Sequence, residues 1–318
     1  MKKWSLVLVI HGLLSVWLLS ADTLVEKFDS NPFLDGWQVY GDTNLFKWDS
    51  TNKVLDVTWD STQTNSYFFH PLGRTLTIQD GFCVVFDLQL TNASTQNYGS
   101  ELAVGLLNYT NATSSSFSRS LGISPNVWEF DYFPPYNDQG YIGAPSLDAT
   151  LVDAQTNFFF IYTNILMNNA VTYHVLLEHE PGATGISGAI YTNGLLMTAL
   201  PIVDNYLPSG DNGAFALDTL AVMNYADDGA GDDILAHGTV KNLACASPLP
   251  VGGLQTTGPG QVVFASDTNW VYTLLQSGDF VNWTPAAVPV AGSGGSLVLQ
   301  ATNTVNLHDS YRVRADLR

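Results

Sequence analysis

Apolar and polar residues alternate along this chain in short stretches. Past residue 21, apolar positions nowhere recur at the three-and-four spacing of an amphipathic helix. Val54–Asp60 (VLDVTWD) puts Leu55, Val57 and Trp59 on one side of a strand and Val54 off it. Gly81–Leu90 (GFCVVFDLQL) gathers Phe82, Val84, Phe86, Leu88 and Leu90 on one face, and Cys83, Val85, Asp87 and Gln89 on the other. The same reading predicts strands over 100–107, 127–133, 157–163, 171–180, 185–192, 195–200, 214–225 and 234–246. Asn193-Gly194, between Thr192 and Leu195, predicts a tight hairpin, because a type I′ turn needs positive φ at both central residues.

Many short strands without crossover helices predict an all-β fold in which antiparallel sheets stack face to face as a jelly-roll sandwich. A sandwich suits strands that are apolar on one face and polar on the other better than a closed barrel does. The run Ala246-Ser-Pro-Leu-Pro-Val-Gly-Gly253 reads as a break. The predicted organisation is a sandwich over 22–247, a Pro/Gly linker over 248–256 and a small C-terminal β module over 257–318. Five short strands are expected in the module, at 261–265, 270–276, 281–284, 296–300 and 310–315. Its length is near the lower limit for a unit that folds alone.

Residues 1–21 have another character. Lys2 and Lys3 precede an apolar run from Trp4 to Leu19, and Ser20 and Ala21 follow, which is the order of a secretory signal. No Cys follows the run and no second long apolar stretch occurs. The expected product is secreted or cell-surface, with no transmembrane segment beyond the signal. Charge narrows the partners further. Eleven Lys and Arg face 29 Asp and Glu, a net charge of −18, and such a surface repels phosphate backbones. Nucleic acid is excluded as a partner on that ground. The two cysteines, Cys83 and Cys245, each fall within an apolar strand, so a disulfide between them and two buried free thiols both remain open.

Several segments carry a resemblance. Val57-Thr-Trp-Asp60, Asn65-Ser-Tyr-Phe68, Pro71-Leu-Gly73, Trp128-Glu-Phe-Asp-Tyr-Phe-Pro134 and Ile234-Leu-Ala-His-Gly238 resemble a group of uncharacterised exported bacterial proteins with a concanavalin A-like lectin/glucanase sandwich. Tyr272-Thr-Leu-Leu-Gln-Ser277, Trp283 and Tyr311-Arg-Val313 resemble a small β module at the ends of similar proteins. The resemblance implies the sandwich fold and sugar ligands, and carries no established activity.

Chemistry concentrates in Trp128-Glu129-Phe130-Asp131-Tyr132-Phe133. Retaining glucanases of this fold carry Glu-x-Asp-x-Glu on a strand, where residues two apart share a face. Glu129 and Asp131 match the first two positions, but the third falls on Phe133 or Pro134, neither of which exchanges a proton. Cleavage then needs a further acid from elsewhere. The aromatics Trp59, Tyr67, Trp128 and Tyr132 suit either the core or a sugar face. The stretch 133–141, with Tyr136 and Tyr141, reads as a loop at the rim of a cleft. The expected ligand contacts are Trp128, Glu129, Asp131, Tyr136 and Tyr141.

The run 227–233 offers Asp227, Asp228, Asp232 and Asp233 around two glycines, which suits either a solvated hairpin tip or calcium. His174 and His179 lie five apart and point to opposite faces of one strand, so they make no metal site. Neither a nucleophile elbow nor a phosphate-binding glycine loop is present, and no cofactor is expected beyond that calcium. Three uses follow. The first is a non-catalytic carbohydrate-binding or surface-associated protein whose partner is a polysaccharide or surface glycan. The second is a degenerate or unusual glycoside hydrolase or lyase using Glu129 and Asp131. The third is a structural or assembly role at the cell exterior.

Overall fold

The computed structural model describes residues 22–95, 101–119, 121–138, 141–183, 186–193, 195–203, 213–227, 234–247, 252–258, 260–277, 284–302 and 310–318. The chain divides into two compact units, residues 21–250 and 251–316. Among the described residues, no helix is long and apolar enough to cross a membrane.

The first unit is an antiparallel sandwich of two sheets, as the alternation predicts. The smaller, seven-stranded sheet runs Phe158–Phe159, Ser146–Val152, Val127–Phe133, Leu102–Leu107, Ala216–Asn224, Ser66–Thr77, Gln38–Tyr40. The larger sheet runs Leu195–Val203, Ile186–Thr192, Thr172–His179, Phe82–Thr95, Ile234–Ser247, Val54–Asp60, Phe46–Asp49. Asp22–Glu26 pairs along Ile234–Ser247. A hairpin of Tyr136–Asp138 and Tyr141–Gly143 adjoins the larger sheet, where Thr95 and Tyr136 pair in parallel.

Between the sheets lies one core. Phe82, Val84, Phe86, Leu88 and Leu90 point into it, on the face their alternation predicted. They meet the opposing sheet in edge-on aromatic pairs, Phe82 with Trp128 at 5.1 Å and Phe86 with Phe130 at 5.7 Å. At the far end Trp37 stacks on Phe68 at 4.7 Å. Trp59 is fully buried in this core. His174 faces outward and His179 inward, against Phe82, as their spacing requires. Thr192 pairs with Leu195 across the expected hairpin, and Asn193 has φ +51°.

Ser66–Thr77 and Ser146–Val152 are among the strands that escaped the sequence pattern. Ser66–Thr77 contains Pro71 and Gly73, ordinarily breakers. The strand survives because its partner shifts register between Leu217 and Thr219, beside Pro71. Ser146–Val152 (SLDATLV) places Asp148 within an apolar run, and every residue after Ser146 is buried. Conversely, the strand expected over 157–163 is reduced to Phe158–Phe159, with Phe160, Ile161 and Tyr162 exposed.

The second unit has a sheet of Gly252–Gly258, Gln261–Ala265 and Ser296–Gln300, and another built on Trp270–Ser277 with Thr284–Pro285, Val290–Ala291 and Ser310–Leu317. Part of the predicted linker is therefore strand: residues 252–258 pair with 261–265, while 248–251 lie outside the described residues. Phe264 against Tyr272, at 5.0 Å, and buried Trp270 supply much of this unit's apolar interior.

The cysteines are free and buried. Cys245 pairs with Val84 in register and shares its core-facing side, whereas Cys83, one residue along, faces the other way. Side chains on opposite faces of a sheet cannot meet the Cβ geometry of a disulfide. Burial pushes the Cys245 thiol up to about 12 and raises that of Cys83 as well. The native protein should resist alkylation, both thiols should alkylate on denaturation without reductant, and reductant should leave the melting temperature unchanged. A mass showing no alkylation until reductant is added would overturn the assignment.

Candidate functional site

The strand Val127–Phe133 is buried on both faces. Trp128, Phe130 and Tyr132 turn to the core between the sheets. Val127 belongs to a second apolar cluster on the outer face, with Tyr67, Phe69, Ala103, Phe117, Val152, Met223 and Tyr225. Glu129 and Asp131 share that outer face, and neither has any exposed surface. Their neighbours follow from register. Glu129 lies between Gly105 and Thr150, and Asp131 between Ala103 and Asp148. Gly105 is obligatory, since a Cβ there would lie 2.3 Å from the Trp128 carbonyl oxygen and 2.5 Å from Glu129 Cα.

Residues 108–119 and 121–126 cover this face. Asn108 caps the single turn Tyr109–Ala112 by accepting from the Asn111 N–H at 3.1 Å. Side chains then fasten the cover to the sheet. Asp218 accepts from the Tyr109 N–H at 2.9 Å, Tyr67 donates to the Ala112 carbonyl at 3.1 Å, and Asn65 donates to the Phe117 carbonyl at 3.3 Å. Ser118 and Ile123 exchange backbone hydrogen bonds of 2.9 and 2.8 Å, which closes a loop that carries Arg119 inward.

Arg119 meets the carboxylates there. Its Nε donates to Glu129 Oε1 and its Nη2 to Asp131 Oδ2, both at 2.8 Å. Glu101 Oε1 stands 3.4 Å from Nε. The guanidinium lies over the Phe158 ring at 4.9 Å, and Tyr225 donates to Glu129 Oε2 at 2.6 Å. The Arg119 side chain is only 9% exposed.

Four acids thus surround one fixed cation. Burial pushes Glu101 up to about 7, with Arg119 opposing and Asp131 adding to the rise. Burial, then the charge of Asp131, pushes Asp148 up to about 8. Burial also raises Glu129 well above the usual carboxylate range, reinforced by Asp131, and raises Asp131 against the pull of Arg119. For Arg119, burial works against the charge, but Glu129, Asp131 and Glu101 outweigh it.

Sequence reasoning paired Glu129 with Asp131 correctly on one face and missed Arg119, Glu101, Asp148 and Tyr225. The further acids that cleavage chemistry needs come from neighbouring strands, not from Phe133 or Pro134. Trp128 is a correction: it has no exposed surface and faces the core, because neighbours on a strand point oppositely. Tyr132 and Tyr67 are likewise buried, the former accepting from the Met167 N–H at 3.2 Å. Tyr136 and Tyr141 fall in a short hairpin instead of a loop, and their side chains lie outside the described residues. Of the acidic run, Asp228, Asp232 and Asp233 lie outside the described residues, while the Asp227 N–H donates to the Ser61 carbonyl at 2.8 Å.

An open groove of about 510 Å³ lies farther along the same outer face. Gln38, Pro71, Arg74, Tyr109, Thr110 and Asp218 are among its lining. The Tyr109 ring packs on Phe69 at 4.7 Å, which holds it as a wall.

Two outcomes follow from the cluster. Arg119→Met should cost about 3–5 kcal/mol in urea unfolding, because it strands buried carboxylates. Adding Glu129→Gln and Asp131→Asn to that variant should recover much of the loss. A cost within about 0.5 kcal/mol, as at an ordinary surface site, would mean that Arg119 does not pin the cover. In a chelating buffer, stability should fall as pH rises from about 4 to 8. Unfolded Glu101 and Asp148 release their protons near the ordinary 4.5 and 3.8, while the folded protein holds them to about 7 and 8. Each such proton contributes a slope of about 1.4 kcal/mol per pH unit. Asp148→Asn should flatten the profile, and an unchanged slope would count against a buried proton there.

No protein-family model matches this chain, and no curated protein matches it. Solved structures that it resembles include a basic winged bean lectin with Tn-antigen, 12% identical with a TM-score of 0.47, over 72% of this chain and 99% of that one. The Lotus tetragonolobus seed lectin is 10% identical with a TM-score of 0.42, over 71% and 97%. The alginate lyase Aly36B is 8% identical with a TM-score of 0.41, over 70% and 96%. At these identities the likeness concerns the general form of the sandwich.

Proposed function

We propose that this is an exported, non-catalytic protein that binds a neutral glycan at the cell exterior. One observation carries the choice of binding over cleavage: Glu129 and Asp131, the pair with glucanase-like spacing, are fully buried and held by Arg119. General acid and nucleophile must reach the glycosidic oxygen and anomeric carbon, and no sugar reaches acids beneath the cover. The outer groove supports binding instead. It combines an aromatic wall, Tyr109, with an amide, a hydroxyl and a carboxylate from Gln38, Thr110 and Asp218. That mixture suits the apolar faces and hydroxyl edges of a sugar. Neutral polymers fit better than uronates, since the chain carries −18 and Arg74 is already paired with Asp80 at 2.8 Å. On this reading the hairpin bearing Tyr136 and Tyr141 is a second contact surface.

A second reading, hydrolase or lyase, is favoured by Tyr225 and the extra acids around Glu129, and requires the cover to open. Affinity electrophoresis of the protein without residues 1–21, through gels of neutral and uronate polysaccharides, separates the two. Retardation by a neutral polymer, at least tenfold weaker in Gln38→Ala and Tyr109→Ala variants with unchanged melting, is the expected result. Uniform mobility across the panel sinks the binding reading. Release of reducing or unsaturated ends that disappears in Glu129→Gln favours the enzyme.

A further inference from the structure

Among the described residues, Asp148 is the one side chain with two buried polar atoms that lack a close hydrogen bond. It is 1% exposed, sits directly across from Asp131 on the outer face, and apart from the Thr150 hydroxyl beside it neither of its carboxylate oxygens has a hydrogen-bond donor. Asp131 Oδ1 and Glu101 Oε1 are also buried without a hydrogen bond. Arg119 does not answer this need. Its short contacts go to Glu129 Oε1 and Asp131 Oδ2, and at Glu101 it stands 3.4 Å away. Among the described residues, no other Lys or Arg forms an ion pair with these acids. Buried carboxylate oxygens without donors are costly, and water could satisfy the oxygens without balancing the charge.

We propose that the outer face binds a calcium-sized divalent cation through Asp148, Asp131 Oδ1 and Glu101 Oε1. Thr150, on the same strand as Asp148 and two residues on, places its hydroxyl beside both aspartates. The spacing suits one ion. Register sets Asp148 directly across from Asp131, an oxygen of Glu101 lies within 4.8 Å of one of Asp131, and two oxygens each about 2.4 Å from a shared calcium are at most about 4.8 Å apart. Calcium accepts six to eight oxygens in loose geometry and tolerates a bidentate aspartate, whereas magnesium demands a near-ideal octahedron. Asp131 would then bridge two cations, with Oδ2 on Arg119 and Oδ1 on the ion. This site is distinct from the Asp227–Asp233 run and does not depend on glycan binding.

The test uses the full chain without its leader, stripped with chelator, incubated with millimolar calcium and desalted. About one calcium per chain by elemental analysis is expected, with melting raised by several degrees over the chelated protein. Asp148→Asn and, separately, Glu101→Gln should lose both effects while remaining folded by circular dichroism. Asp228→Asn with Asp232→Asn should keep both. Absence of bound calcium and of a melting shift in the parent protein overturns the proposal, and leaves protons as the only neutralising partner. Calcium retained by Asp148→Asn and lost from the Asp228/Asp232 variant also overturns it, moving the ion to the acidic run.

Discussion

Burying carboxylates is the constraint around which this sandwich is organised. Glu129 and Asp131 sit on a strand whose two faces are both closed, so they can remain only if something charged follows them inside. Arg119 is that group, and it arrives on a segment that would otherwise be a surface loop. A guanidinium suits the task because its rigid fork can hold two carboxylates at once. Here each takes a bond of 2.8 Å. The apolar cluster of Phe117, Val127, Val152 and Tyr225 surrounds the pairing and excludes water, which strengthens it and also makes its loss more costly. Charge and apolar packing are therefore two halves of one device.

Which parts of this were visible in the sequence follows from what alternation encodes. Period two assigns residues to shared faces, so it set Glu129 with Asp131 and separated His174 from His179. It does not say which face meets the core. Where one face is plainly polar, as at Asp87 and Gln89, the assignment is safe. Val127–Phe133 has no plainly polar face because its outer side is covered, and Trp128 was consequently placed on the ligand side when it belongs between the sheets. Covering is a property of the segment that follows Leu107, which shows its purpose only once folded.

Arg119 itself left no local signature. Its partners lie ten and twelve residues away at Glu129 and Asp131, and beside a neighbouring strand at Glu101, so the pairing is a product of topology. A signal did exist in the acids. Asp148 interrupts the otherwise apolar LDATLV, and a carboxylate in a strand buried on both faces needs a cation or a proton. Reading that oddity alongside Glu129 and Asp131 would have required a basic residue somewhere in the unit, and the sandwich has few to choose from.

The closed acid cluster and the open groove lie on one sheet face, and the same segment serves both. Tyr109 walls the groove ten residues before Arg119 enters the cluster, and Asp218 holds the Tyr109 backbone in place. Anchoring Arg119 fixes the far end of the cover, while Asn108, Asn126 and Asp218 fix the near end. A ring held at both ends of its segment loses little further freedom when a sugar packs on it, and preorganisation of that kind is what gives a shallow groove useful affinity. On the proposed binding reading, the buried charge then contributes to recognition without touching a ligand: its neutralisation, by Arg119 and by whatever balances Asp148, sets how firmly the wall of the groove is held.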